Sequence, residues 1–173
     1  MTAAYIMMFN DLKHRGLYYR QLKKVKKFYD DIKKIYDDSP EFYESLGGEI
    51  AAYAAEHPEW FINSCAARLS QALNECGILI PEISGKTMKG AGDKNYFLRA
   101  ADMKDYFLQI WGEPRFVHKS YTILNGIVFQ SGFVGVSGHV DVFSDEKSGG
   151  DAYMHHTYEE YKDVKTVIWK YGR

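Results

Sequence analysis

The sequence predicts an α+β domain in which helices come first and a small antiparallel sheet follows. Up to Pro114, apolar side chains recur at helical spacing between recognisable start and stop signals. Beyond it the period changes: "NGIVFQSGFVGVSGHVDVF" and "KTVIWKYG" are β-branched and aromatic, alternate, and are bounded by glycines and an Asn-Gly pair. With 173 residues, 46% hydrophobic and 16% aromatic, the chain can close one core without staples.

Taken in order, residues 13 to 27 hold seven Lys/Arg and no acid, whereas residues 30 to 44 hold six acids against Lys33 and Lys34. Leu22, Val25, Phe28, Ile32 and Ile35 fall at helical spacing, so this segment is expected as an amphipathic helix docked by that stripe, its basic face solvated. "DDSPEFYESLGG" supplies a stop and a restart, with Ser39 as N-cap, Pro40 at the first helical position and Gly47-Gly48 ending the turn. "EIAAYAAEH" is a short helix closed by Pro58. In "FINSCAARLSQALNECGILIP", Ser64 is the N-cap, Leu69, Ala72, Leu73 and Cys76 form a buried stripe, and Gly77 and Pro81 end the helix. "SGKTMKGAGDKNYFLRA" is expected as a long connection, and "ADMKDYFLQIWG" as a further amphipathic helix stopped by Gly112 and Pro114.

A formal net charge of −1 sets aside nucleic-acid binding through bulk electrostatics. The apolar opening "MTAAYIMMF" lacks the basic and long apolar regions of a signal peptide, and no run approaches the ~20 residues of a membrane span. The chain is expected to be made in the cytoplasm without membrane insertion, and any export must need no cleavable signal.

Both cysteines lie on one expected helix, at opposite ends. Cys65 occupies the first position after Ser64, where unpaired amides and the positive end of the helix dipole stabilise a thiolate, so its acidity is expected to rise. Cys76 lies where the dipole disfavours an anion and reads as core. Eleven residues of helix is about 16 Å, too far for a disulfide. A thiolate nucleophile needs a base. Among six histidines, His139 in "GVSGHVDVF" stands out: it lies on a predicted central strand beside Gly138, whose missing side chain lets a substrate backbone approach. Two acids compete to orient its imidazole. Asp141 shares its strand face at about 6.5 Å; Asp151 would face it across a hairpin centred on Asp145, unless Gly149-Gly150 shifts the register by one.

"NSCAARLSQALNECGILI", "GAGDKNYFLRAADMKDYFLQIWGEP" and "GVSGHVDVF", in that order, resemble the type VI secretion amidase effectors of the fourth family, papain-like peptidoglycan endopeptidases related to the NlpC/P60 fold. "LGGEI" at residues 46 to 50 resembles the opening of that family. The resemblance implies a single catalytic domain over residues 1–173, with 1–45 an N-terminal helical extension and 46–173 the amidase core. It matches Cys65 to the nucleophile of an Asn-x-Cys-x-x-Arg motif, His139 to the general base and Asp151 to the third member of the triad. Asn63, Arg68 and Gly138, with the loop from Lys89 to Asn95, are expected beside the substrate. The implied reaction is hydrolysis of the bond between the γ-carboxyl of D-glutamate and meso-diaminopimelate in peptidoglycan stem peptides, with no metal or other cofactor, in the periplasm of a target bacterium. A cognate immunity protein, typically a dimer, and the type VI secretion machinery are the implied partners. Some relatives carry a cysteine pair before the catalytic aspartate; "SDEKSGGDAYMHH" has none, and the segment before Leu46 has no counterpart. Other readings use the same residues: a different papain-like murein endopeptidase or acyltransferase, or a non-enzymatic binding domain with Cys65 buried. Zinc bound by Cys65, His139, Asp151 and His155 lacks the short ligand spacings such sites use.

Overall fold

The computed structural model of the chain describes residues 15–36, 38–117, 125–133, 135, 137–144, 147–148 and 164–170. Helix α1, Arg15–Ile35, buries Leu22, Val25, Tyr29 and Ile32. The expected stripe is corrected at two positions, since Phe28 is 37% and Ile35 67% exposed. A step of four from Val25 keeps to the docked face where a step of three drifts off it, so Tyr29 takes the place given to Phe28. The basic and acidic stretches meet along the helix, Lys26 with Asp30 and Lys27 with Asp31, both at 2.7 Å.

Helix α2, Ser39–Leu46, is capped by Asp38 rather than Ser39: the Asp38 carboxylate accepts from the Glu41 amide at 3.0 Å. Ser39 thereby enters the helix, and its hydroxyl lies 2.7 Å from the Ile62 carbonyl and 3.0 Å from Ser64 Oγ. Helix α3, Gly48–Glu56, starts at a glycine with φ +64, where a Cβ would come within 2.6 Å of the Gly90 backbone. A 3-10 turn, Pro58–Trp60, leads to helix α4, Cys65–Glu75, which buries Ala66, Ala67, Leu69, Ala72 and Leu73.

The segment expected as a loop is an antiparallel hairpin of β1, Thr87–Lys89, and β2, Asn95–Phe97. Polar side chains on α4 hold it. Ser70 Oγ accepts from the Phe97 amide at 3.0 Å, while the Asn74 amide donates to the Asn95 carbonyl at 3.0 Å and accepts from Ile80 N at 2.9 Å. Helix α5, Ala100–Trp111, stacks Phe107 on Trp111 and meets Trp169, whose Nε1 donates to the Gly112 carbonyl at 2.8 Å.

The main sheet is antiparallel, in the order β3-β7-β4-β5-β6. Its strands are β3 Arg115–Val117, β4 Gly126–Ser131, β5 His139–Ser144, β6 Lys147–Ser148 and β7 Lys165–Lys170. In register, Ile127, Phe129, Val140, Val142, Val167 and Trp169 present one apolar face to the core they share with α1 and α4. Helix α1, placed in the expected extension, packs directly on α4 and β5.

Candidate active site

Cys65 is the first residue of α4, and the amides around it favour a charge on its sulfur. Ser64 stands at the N-cap with φ −115 and ψ 4 but makes no capping bond. Its hydroxyl instead accepts from Arg68 Nε at 2.7 Å. The uncapped amides of Cys65 and Ala66 favour a negative charge on the sulfur. The Val140 amide, in the peptide that joins His139 to Val140, acts in the same direction. The helix start and the histidine strand therefore meet at the sulfur.

The outer edge of β5 makes this contact available. Strand β6 pairs only with Phe143 and Ser144, so among the described residues no strand covers that edge at His139–Val142. Of the amides there, that of Val140 favours the Cys65 anion and Val142 N–H donates to Asp141 Oδ1 at 2.7 Å. His139 and Asp141 alternate with the core valines and share a face, and Asp141 is fully buried.

The resting thiol departs from expectation. Burial pushes Cys65 above the ordinary thiol value and the Asp141 carboxylate adds to the rise; the amides of Val140, Ala66 and Cys65 oppose both and lose. Removing a thiolate from water costs more than those three amides return, so the protonated thiol is the favoured resting form. Asp141→Asn keeps an oxygen for the Val142 amide and removes the charge. It is expected to lower the thiol pKa, so that iodoacetamide labelling of Cys65 accelerates at fixed pH and its midpoint moves down. A midpoint that stays or rises contradicts the carboxylate's part.

Two neighbours gave no signal in the sequence. Tyr43 on α2 donates its hydroxyl to the Asn63 carbonyl at 2.8 Å, and burial followed by the proximity of Cys65 pushes its phenol far above the ordinary range. Ser39 ties α2 to the same turn. Both sit in "SPEFYESL", which announces an amphipathic helix and nothing about the turn it grips.

Asn63 is exposed, two residues before Cys65. Arg68, expected beside the substrate, is turned inward and 5% exposed. Its guanidinium bonds Ser64 Oγ and the carbonyls of Tyr36 (2.9 Å) and Asp38 (3.0 Å), and it lies over the Phe42 ring. What approaches Gly138 is the protein's own backbone: at φ +131 a Cβ would sit 2.7 Å from the Gln130 carbonyl oxygen and from the Phe129 ring. The Lys89–Asn95 segment is held by Asn74, about 13 Å along the helix from Cys65. The hairpin after β5 pairs Phe143 with Ser148 and Ser144 with Lys147, one residue off the register expected. Asp151 and His155 lie outside the described residues. Cys65 and Cys76 are both free and half-buried. Among the described residues no group of three or more His, Cys, Asp or Glu could hold a metal ion, and no helix is long and apolar enough to cross a membrane.

A helix that begins at a thiol and packs against an antiparallel sheet whose strand begins at a histidine is the frame of the papain-like α+β hydrolases. The sequence profile of the family described as type VI secretion system (T6SS), amidase effector protein 4 (Tae4) matches residues 61–169, and the chain belongs to that family. It is accordingly a type VI secretion amidase effector, a hydrolase of peptidoglycan. The fold agrees. The effector Tae4 from Salmonella typhimurium, solved in complex with the immunity Tai4 from Enterobacter cloacae, superposes with a TM-score of 0.71 at 22% identity, over 87% of this chain and 98% of that one. Tae4 from Enterobacter cloacae gives 0.69 at 19%, over 87% and 96%. Its complex with Tai4 gives 0.62 at 21%, over 91% and 97%. No curated protein matches the chain by sequence.

Proposed function

We propose that Cys65 is the nucleophile and His139 the general base in hydrolysis of the amide between the γ-carboxyl of D-glutamate and meso-diaminopimelate. The observation that carries this reading is that the helix starting at Cys65 packs on the strand starting at His139, with the His139–Val140 peptide close enough to act on the sulfur. Because the thiol rests protonated, its anion forms as His139 takes the proton during attack on the γ-glutamyl carbonyl. The oxyanion is held by backbone amides at the start of α4. His139 then protonates the departing amine, leaving a thioester on Cys65. A water, deprotonated by His139, attacks that thioester and restores the thiol. Asp151 orients the imidazole; Asp141, buried and on the same face as His139, is the second candidate for that task. Asn63 is the exposed side chain nearest in sequence to the thiol and contacts the stem peptide, with Gly138 shaping the histidine strand beside it. Arg68 acts through Ser64.

The chain is made in the cytoplasm, leaves through the type VI machinery and works in the periplasm of the target cell. The Salmonella and Enterobacter effectors are seen with the immunity protein Tai4. By analogy a cognate immunity protein, a dimer, covers this site in the producing cell. Periplasm-directed expression of wild type and Cys65→Ala in a Gram-negative host tests the whole reading. Lysis by wild type alone, with muropeptides cut between D-glutamate and diaminopimelate by mass, is expected. Equal lysis by both, or by neither, overturns it.

A further inference from the structure

The residues from His57 to Asn63 that lead into the thiol are pinned along their backbone, yet they leave two large apolar side chains outside. The amides of Trp60 and Phe61 close the 3-10 turn onto the His57 and Pro58 carbonyls at 3.0 and 3.1 Å. The carbonyls of Ile62 and Asn63 are held by Ser39 and Tyr43, and the Phe61 ring is buried against Tyr43 at 4.7 Å. On this fixed strip Trp60 is 64% and Ile62 69% exposed. Single exposed apolar residues are unremarkable, but two of this size within three residues of one another, on a rigid segment ending at the nucleophile, mark an interaction site.

The indole is also pre-set. The His57 ring stacks against Trp60 at 4.6 Å and 11°, and Tyr53 backs both rings at 4.5 and 5.8 Å. One face of the indole is thus occupied, its orientation fixed, and the other face is open to water. An immobilised flat aromatic surface, on a segment that also carries the exposed polar residues Glu56, Glu59 and Asn63, fits a ligand that has one apolar face and a polar rim. A pyranose ring has that form.

Accepting the amidase reading above, the substrate carries such a ring at a fixed distance. Only one residue and a lactyl group separate D-glutamate from the muramyl sugar of the glycan strand, a span of roughly 10–13 Å. Trp60 is five residues from Cys65, within about 17 Å along the chain. We propose that Trp60, stacked on His57, is a platform for the muramyl pyranose, so that the enzyme reads the glycan strand as well as the stem peptide. Binding energy gathered on a part of the substrate that does not react then serves to place the scissile amide over Cys65.

The test compares kcat/KM for a disaccharide-bearing tetrapeptide and for the same tetrapeptide without sugar. Wild type is expected to favour the former on the order of tenfold, as one aromatic stacking face supports. In Trp60→Ala that ratio falls to about one, whereas Trp60→Phe retains part of it and Leu79→Ala, a distant exposed apolar residue (69%), retains all of it. A wild-type ratio of one, an unchanged ratio in Trp60→Ala, or equal loss on both substrates overturns the platform. So does a Trp60→Ala variant whose only defect is weaker binding of an immunity protein. If wild type cuts neither substrate, the amidase reading has failed, and titration of the free disaccharide decides the platform separately. Quenching of tryptophan fluorescence in wild type but not in Trp60→Phe supports it, and no quenching in either overturns it.

Discussion

Replacing Cys65 with alanine is expected to lower kcat/KM on purified muropeptides by about 10⁴-fold or more, the scale on which a covalent nucleophile acts. The decisive measurement is the second substitution. His139→Ala alone is expected to cost nearly as much, because the thiol rests protonated and has no thiolate to offer until a base takes its proton. Cys65→Ala combined with His139→Ala is then expected to be no worse than either alone, since residues that act as one unit lose their whole contribution when the first is removed. Multiplicative losses would mean that His139 works independently of the sulfur, which its position one peptide from the Val140 amide argues against. Each variant leaves the fold in place: alanine fits the first position of α4, and His139 begins its strand.

Arg68→Ala is expected to destabilise the protein by roughly 3–5 kcal/mol, read as a lower urea midpoint at unchanged slope. The guanidinium joins three segments at once, through Ser64 Oγ at the helix start and the carbonyls of Tyr36 and Asp38 at the junction of α1 and α2. Removing it opens a hole where the buried guanidinium lay and takes the donor from two part-buried carbonyls, leaving Ser64 only its bond with Ser39. Arg68→Lys is expected to recover little, because a point charge cannot replace a planar fork with five donors. A substrate-binding arginine would behave otherwise, leaving stability untouched and raising KM. For Arg68 variants that remain folded, KM is therefore expected to change little.

The candidate site is legible where chemistry forces a residue type and dim where long-range geometry decides. Cys65 stands out as a candidate because a helix start is written locally, in Ser64 before it and the apolar stripe after it. His139 stands out through the alternation of its strand. The acidity of the thiol was misjudged because the sequence displays the helix start but not what packs over it; burial against β5 outweighed the amides. Arg68 resembled a substrate contact for the same reason: spacing cannot tell a guanidinium that faces outward from one that folds back onto Tyr36 and Asp38. The hairpin of β1 and β2 was missed because its strands are three residues each and rely on Ser70 and Asn74 rather than on β propensity. Tyr29 displaced Phe28 by one position on α1, a choice that apolar spacing leaves open. The fold class itself needed only the change of period at Pro114.

A sulfur that rests protonated also tolerates exposure to oxidants. Peroxides and mixed disulfides react with thiolates, and an ionised cysteine carried through an oxidising compartment drifts toward sulfenic and then irreversible sulfinic acid. With Cys65 as the proposed nucleophile, burial against the histidine strand keeps its electrons unavailable until a carbonyl arrives, so the weapon travels with its safety on.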